Sequence, residues 1–375
     1  MDAHQRLVNG FMELVTIDSP TKHEEEVSKF LKLKLFELGF EISEDNVGEK
    51  IGGTTNNLFG FLSGTMPNAS TLPTIMLNAH MDCVPPCIGV VPQLIDGVIT
   101  SKGDTILGSD DKAGIIAILE GVRRLKEQNI PFCNVQVIFS VAEEGGVNGA
   151  KHMDKSKIKA DLGYVLDVGG SPGTIVYAAP GINQFHIKVK GRAAHAGIEP
   201  ENGINAIQVL SKALVNFPQG RIDHETTANI GMISGGNASN IVAEHAEVIC
   251  EIRSINANTL SDLTKDVIEL FENTAKENNA EIEVELDEHF NAFNLAQDTL
   301  SIKLVQNVIQ HIGLEPQLIT TGGGSDANIF NAFGLPAIPL GIGMTDVHTT
   351  HENITTEHLE QTCQIVMGIL SLVDN

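Results

Sequence analysis

Two rhythms of apolar residues run along the chain. Between residues 21 and 39 the apolar positions are Val27, Phe30, Leu31, Leu33, Leu35, Phe36 and Leu38, the broad face of an amphipathic helix. Thr21 with Glu24 supplies a capping box at its start, and Gly39 lies where such a helix should stop. Ile115, Ile116, Ile118, Leu119, Val122 and Leu125 predict a second helix over 113–128. Short apolar runs with β character at 74–80, 135–141 and 162–166 predict strands. Strands alternating with helices point to a doubly wound α/β domain.

Near Pro180-Gly181 the order changes. From there the pattern predicts a strand (183–190), a helix (203–216), strands (226–233 and 240–252), a helix (258–276) and a strand (281–287). That β-α-β-β-α-β order is the split βαβ, ferredoxin-like motif. After about residue 289 the α/β pattern resumes, with a helix over 300–312 and a strand over 337–341. The expected architecture is therefore two domains. An α/β domain of residues 1–180 and 289–375 is interrupted by an inserted α+β ferredoxin-like domain at 181–288.

Composition narrows the function classes. With 24 Lys+Arg against 48 Asp+Glu the formal charge is −24, which repels nucleic acids and anionic membranes. Trp is absent and Tyr occurs only twice, so a base-stacking platform is not expected. No apolar run approaches bilayer-spanning length, and the first residues carry no signal-peptide pattern. Cys83, Cys87, Cys133, Cys250 and Cys363 are odd in number and scattered, as expected of reduced thiols in a cytoplasm.

The chemistry-bearing residues gather just after the predicted strands. His80-Met81-Asp82 ends one, Glu143-Glu144 follows the next, and Asp167 follows Tyr164-Val165-Leu166. Asp110-Asp111 stands at the entrance of the helix starting near Lys112. In an open α/β sheet such positions share one crevice. Joined by His348, they make two imidazoles and at least three carboxylates, a donor set that suits Zn, with Mn or Co as alternatives. Alternation along a strand places Asp82 beside His80, where it can accept the ring N–H and turn the other nitrogen toward a metal. Adjacent glutamates invite divided roles, one binding metal and the other relaying a proton. Asp110 and Asp111 are not separable at this level, and Asp110 has an alternative use as a helix N-cap. No nucleophile elbow, phosphate loop or His-Glu-x-x-His is present.

The order Asn78-Ala79-His80-Met81-Asp82, Gly108-Ser109-Asp110-Asp111-Lys112-Ala113-Gly114, Glu143-Glu144-Gly145, Asp167 and His348-x-x-x-Glu352 resembles the co-catalytic di-zinc peptidases. That family includes tripeptidase T, glutamate carboxypeptidase, aminoacylase and succinyl-diaminopimelate desuccinylase. Ser109 to Gly114 and Thr321-Gly322-Gly323-Gly324-Ser325-Asp326-Ala327 look most like the tripeptidase T branch. The resemblance implies two zinc ions, one held by His80 and Asp167 and the other by Glu144 and His348, with Asp110 bridging. Only His348, and not His351, has the family's His-x-x-x-Glu spacing. It implies further that Asp82 orients His80 and that Glu143 is the general base. The inserted domain becomes a lid, whose His195 reaches the scissile carbonyl, often from the neighbouring subunit in dimeric members. Asn240 and Arg253 resemble substrate contacts, and the run containing Gly323 lets the backbone approach a peptide. The implied activity is release of the N-terminal residue from tripeptides by a homodimer formed through the lid. N-acyl amino acid hydrolysis and carboxypeptidase activity share the same site chemistry, and a non-catalytic metal-dependent binding module is the distant alternative.

Overall fold

The structure is a computed structural model describing residues 2–372. The first stretch of chain runs α1 (Ala3–Val15), α2 (Glu25–Leu38), β1 (Glu41–Glu44), α3 (Val47–Ile51), β2 (Leu58–Leu62) and β3 (Ile75–His80). It continues through β4 (Pro92–Ile95), β5 (Val98–Ser101), α4 (Ser109–Glu127), β6 (Val135–Ser140), α5 (Asn148–Lys151), β7 (Leu162–Val168) and β8 (Thr174–Ala179). The middle stretch holds β9 (Gly181–Lys190), α6 (Ala206–Asn216), β10 (Gly220–Arg221) and β11 (Thr226–Gly235). It ends with β12 (His245–Ser254), α7 (Ala257–Glu277), β13 (Glu281–Phe290) and β14 (Phe293–Asn294). The last stretch adds α8 (Leu300–His311), β15 (Gln317–Thr320), α9 (Asp326–Ala332), β16 (Ala337–Gly341), β17 (Asn353–Thr355) and α10 (Thr356–Ser371).

These elements group into two compact units. One takes in the chain up to Tyr177, Leu295–Thr320 and the chain from Ser325 onward. The other consists of Ala178–Asn294 and Thr321–Gly324. In the first, the sheet order is β1-β2-β6-β3-β7-β16-β8. Its centre, β6-β3-β7-β16, is parallel, while β2 and β8 join antiparallel. Every residue of β3 and β6 is buried, which is why these strands read as continuous apolar runs rather than alternating ones. α4 is buried along most of its length, and Gly114 lets its first turn approach β7: a Cβ there would lie 2.5 Å from the Leu166 carbonyl oxygen and against the Asp111 carboxylate. The helix entrance and the ends of β3, β6 and β7 therefore converge on one crevice.

The second unit is an antiparallel sheet of order β10-β11-β12-β9-β13. Phe185, Ile187 and Val189 of β9 and Ala246, Val248, Cys250 and Ile252 of β12 turn inward at every second position, onto Val209, Leu210, Val267 and Phe271 of α6 and α7. The opposite face is charged, with His186 between Glu247 and Glu285. This clean alternation is the mark of a sheet covered on one side only.

Substituting Gly114→Ala forces a methyl group into the α4–β7 contact. It is expected to lower the free energy of unfolding by about 1–3 kcal/mol, the usual cost of overpacking, read from urea denaturation.

Candidate metal centre

His80 is the last residue of β3 and only 2% exposed. Its Nδ1 lies 2.9 Å from the main-chain oxygen of Asp82 and 3.4 Å from that residue's carboxylate. A proton on Nδ1 is thus directed at the backbone carbonyl, which leaves Nε2 facing Asp110 Oδ1 at 3.0 Å and Asp167 Oδ1 at 3.6 Å.

The two aspartates at the entrance of α4, alike in sequence, diverge in space. Their shared peptide bond is cis and both have non-helical backbone angles. Asp111 turns inward, where its Oδ2 accepts the backbone N–H of His80 at 3.1 Å. Asp110 instead directs Oδ1 at His80 and Oδ2 at His348, the latter 3.3 Å from Nε2. His348 Nε2 also lies 2.9 Å from Glu144 Oε1. Two donor groups result, His80–Asp110–Asp167 and Asp110–Glu144–His348, each with its atoms within 4.8 Å of one another. His351 joins neither.

The Glu143-Glu144 turn is held from beneath. The Asp82 carboxylate accepts the backbone N–H of Glu143 at 2.9 Å and of Glu144 at 3.2 Å. Thr21 and Glu24 do not form the capping box expected for α2. The Thr21 hydroxyl donates to Asp82 Oδ2 at 2.8 Å. Glu24, fully buried, accepts the N–H of Lys22 at 2.8 Å and of Ala142 at 3.0 Å. Unpaired amides in the turn are stronger claimants than a helix end open to water. Asp326, at the start of α9, accepts the Ser140 hydroxyl and lies 3.4 Å from Asn78 Nδ2. None of these supporting roles was read from the sequence. Asp326 stood visible in the Ser-Asp-Ala stretch, and Thr21 and Glu24 in a pattern better suited to a helix cap.

The electrostatics are those of a cation site. Among the described residues no Lys or Arg pairs with Asp110, Glu144 or Asp167; their ionic partners are the two imidazoles. Burial, then the charge of Asp110, pushes the Asp167 carboxyl up to about 8. Burial, then the charge of Asp167, holds Glu143 well above the usual carboxylate range. Hydrogen bonds to Asp110 and Glu144 raise His348 to about 10. Carboxylates this crowded and this dry need positive charge among them, and the oxygen and imidazole donors fit divalent cations.

The other residues named from the sequence lie in the second unit. His195 is exposed, its Nδ1 accepts the Gly197 N–H at 3.1 Å, and it bridges to Ile241. The neighbouring Ala196 N–H donates to the Asn240 carbonyl at 3.0 Å, so His195 and Asn240 sit on paired segments. Arg253 donates from Nε to Glu251 at 2.8 Å and from Nη1 to the Gly322 carbonyl at 3.1 Å, next to exposed Gly323.

An α/β domain whose strand ends bring two histidines and several carboxylates around one shared aspartate defines a metal-dependent hydrolase. Comparison with known proteins agrees. The model of Peptidase family M20/M25/M40 matches residues 76–371. A Bacillus subtilis protein, YqjE, is 39% identical over 366 residues, spanning 98% of each chain. Peptidase T of Fusobacterium nucleatum is 26% identical over 390 residues, spanning 94% of this chain and 91% of its own. Aminopeptidase PepT of Bacillus cereus superposes with a TM-score of 0.95 at 40% identity, covering 99% of both chains. A Staphylococcus aureus tripeptidase does so with 0.95 at 37%, covering 99% of this chain and 98% of its own. The chain belongs to Peptidase family M20/M25/M40.

Glu24 offers a test of the supporting layer. Burial, then the charge of Asp82, pushes its carboxyl from 4.5 to about 7. The folded value lies above the unfolded one, so the stabilisation from its proton is complete below pH 4.5 and is lost as pH rises through 7. Across that window wild type is expected to lose stability relative to Glu24→Gln, measured as the difference in urea midpoints.

Proposed function

We propose that this protein is a two-metal exopeptidase that releases the N-terminal residue of tripeptides. The observation that carries the reading is Asp110, whose two oxygens face two separate donor groups. His80, Asp110 and Asp167 would hold one ion, and Asp110, Glu144 and His348 the other. Zinc suits this donor set, with manganese or cobalt as substitutes. A bound metal pair supplies an activated water at neutral pH and polarises the peptide carbonyl.

The remaining steps fall to the chain's own side chains. Glu143 takes the proton from the attacking water and delivers it to the leaving amine. Its backbone N–H is held by Asp82 together with that of Glu144, which fixes the base next to a metal ligand. Asp82 keeps Glu143 and Glu144 in place through their backbone amides, and its main-chain carbonyl orients His80. The second unit, with the insertion at 181–288, acts as the lid. There His195 stabilises the oxyanion, Arg253 pairs with the substrate carboxylate, Asn240 contacts the peptide, and Gly323 admits its backbone. The similarity to an aminopeptidase and a tripeptidase at 40% and 37% identity supports a short-peptide substrate. A homodimer formed through the lid fits the exposed apolar residues Met232 and Ile233 of β11. The described residues contain no helix long and apolar enough to cross a membrane, and five free buried cysteines suit the cytoplasm.

Incubating the zinc-loaded protein with Leu-Gly-Gly should release Leu and Gly-Gly, seen by mass spectrometry and abolished by a chelator. Release of a C-terminal glycine, or cleavage of N-acyl amino acids alone, would move the protein to another branch of the family. Glu143→Gln should keep both metals while kcat falls about 100- to 10,000-fold, the range for a lost general base. Wild-type turnover in that variant would remove Glu143 from the role.

A further inference from the structure

The geometry points to Glu352 as a positioning residue that sets the spacing between Asp110 and His348, and hence the affinity of the second metal. This inference rests on the two-metal reading above. Glu352 follows His348 by four residues, is 1% exposed, and uses both carboxylate oxygens on one short segment. Oε2 accepts the backbone N–H of Leu107 and of Gly108, each at 2.9 Å. Oε1 accepts the Ser109 hydroxyl at 2.6 Å and the Asp110 N–H at 3.0 Å.

That segment cannot hold itself. It is the entrance of α4, where Gly108 stands at the N-cap with φ +77° and has no side chain to cap the first turn. Glu352 supplies the missing acceptor from a distant part of the chain, at a helix start where negative charge is favoured. Its own loop is anchored as well. The Glu352 N–H donates to the Thr349 carbonyl at 3.1 Å, the Thr349 hydroxyl to the Asp346 carbonyl at 2.7 Å, and Asn353 opens β17 opposite Thr100 of β5. His348 itself is half exposed, with a left-handed backbone, and its ring touches the protein through the Asp110 and Glu144 carboxylates. Beside the contact of the His348 ring with Asp110, the Glu352 carboxylate therefore ties the loop carrying His348 to the backbone of the segment carrying Asp110. His80 and Asp167 stand on β3 and β7 and do not depend on it.

The test is a Co2+ titration of the metal-free full-length chain, followed by visible absorption and by metal content after dialysis. Wild type should take up two ions. Glu352→Gln replaces an acceptor oxygen with an N–H2 facing donors. It should weaken the second ion 10- to 100-fold, as for lost partners of metal ligands, and the first, which shares Asp110 but keeps His80 and Asp167 on their strands, clearly less. Adding Glu352→Gln to His348→Ala should cost the second ion less than Glu352→Gln costs it in wild type. Ser109→Ala, which removes one donor and leaves the fold's amide contacts in place, should weaken the second ion several-fold. It keeps the inference testable if Glu352→Gln does not fold. Wild-type affinity for both ions in Ser109→Ala and Glu352→Gln, or equal loss of both ions in a folded variant, would overturn the role of Glu352. A wild-type chain that takes up fewer than two ions would instead overturn the two-metal reading itself.

Discussion

Concentrated negative charge is the constraint on which the rest of this structure depends. Asp110, Glu143, Glu144 and Asp167 crowd one crevice, and the cationic partners they find in the chain are the imidazoles of His80 and His348. Left in water such groups would spread apart; dried and pressed together they raise one another's proton affinity, as Asp167 and Glu143 do. Divalent cations held there would relieve that repulsion, and their binding would then add to the stability of the folded crevice.

The carboxylates divide by what they accept. Asp82, Asp111, Glu24 and Glu352 receive backbone N–H groups and fasten the loops that follow β3 and β6 and precede α4. Asp110, Glu144 and Asp167 face imidazole and one another. A buried carboxylate satisfied by amides is a rigid bracket, because moving it leaves several donors unpaired at once. The reacting groups can then sit on irregular turns and still be held closely. Lys112, buried at the same helix entrance, donates to the Ile17 carbonyl rather than to these carboxylates.

Much of the fold was legible because the relevant pattern is local. The helix over 300–312 and the strand over 337–341 appear as α8 and β16 within a residue, since each is a bounded apolar run. The inserted β-α-β-β-α-β order was equally plain in the alternation of β9 and β12. The opening helix α1 carries helical spacing in Leu7, Val8, Phe11, Leu14 and Val15, although no element was predicted there. The edge strands β1, β4 and β15 were not legible, because their burial is set by neighbours far away in sequence. Thr21 and Glu24 misled for the same reason: the cap pattern is local, but the amides of residues 142–144 lie across the sheet and claim them.

By itself the sequence determined the strand ends that carry the chemistry, the donor types, and the family to which their order belongs. Periodicity and residue identity are properties of the chain, and metal preference follows from donor chemistry. The family resemblance favoured Asp110 over Asp111 and the His-x-x-x-Glu spacing favoured His348 over His351, but the physical reason is tertiary, because neighbours of like chemistry differ solely in where the backbone aims them. The tertiary structure alone placed Glu352 under the helix entrance, a contact across 242 residues that no spacing rule contains. Long-range closure decides which of several chemically equal groups meet, and here it decides the geometry of the two donor groups.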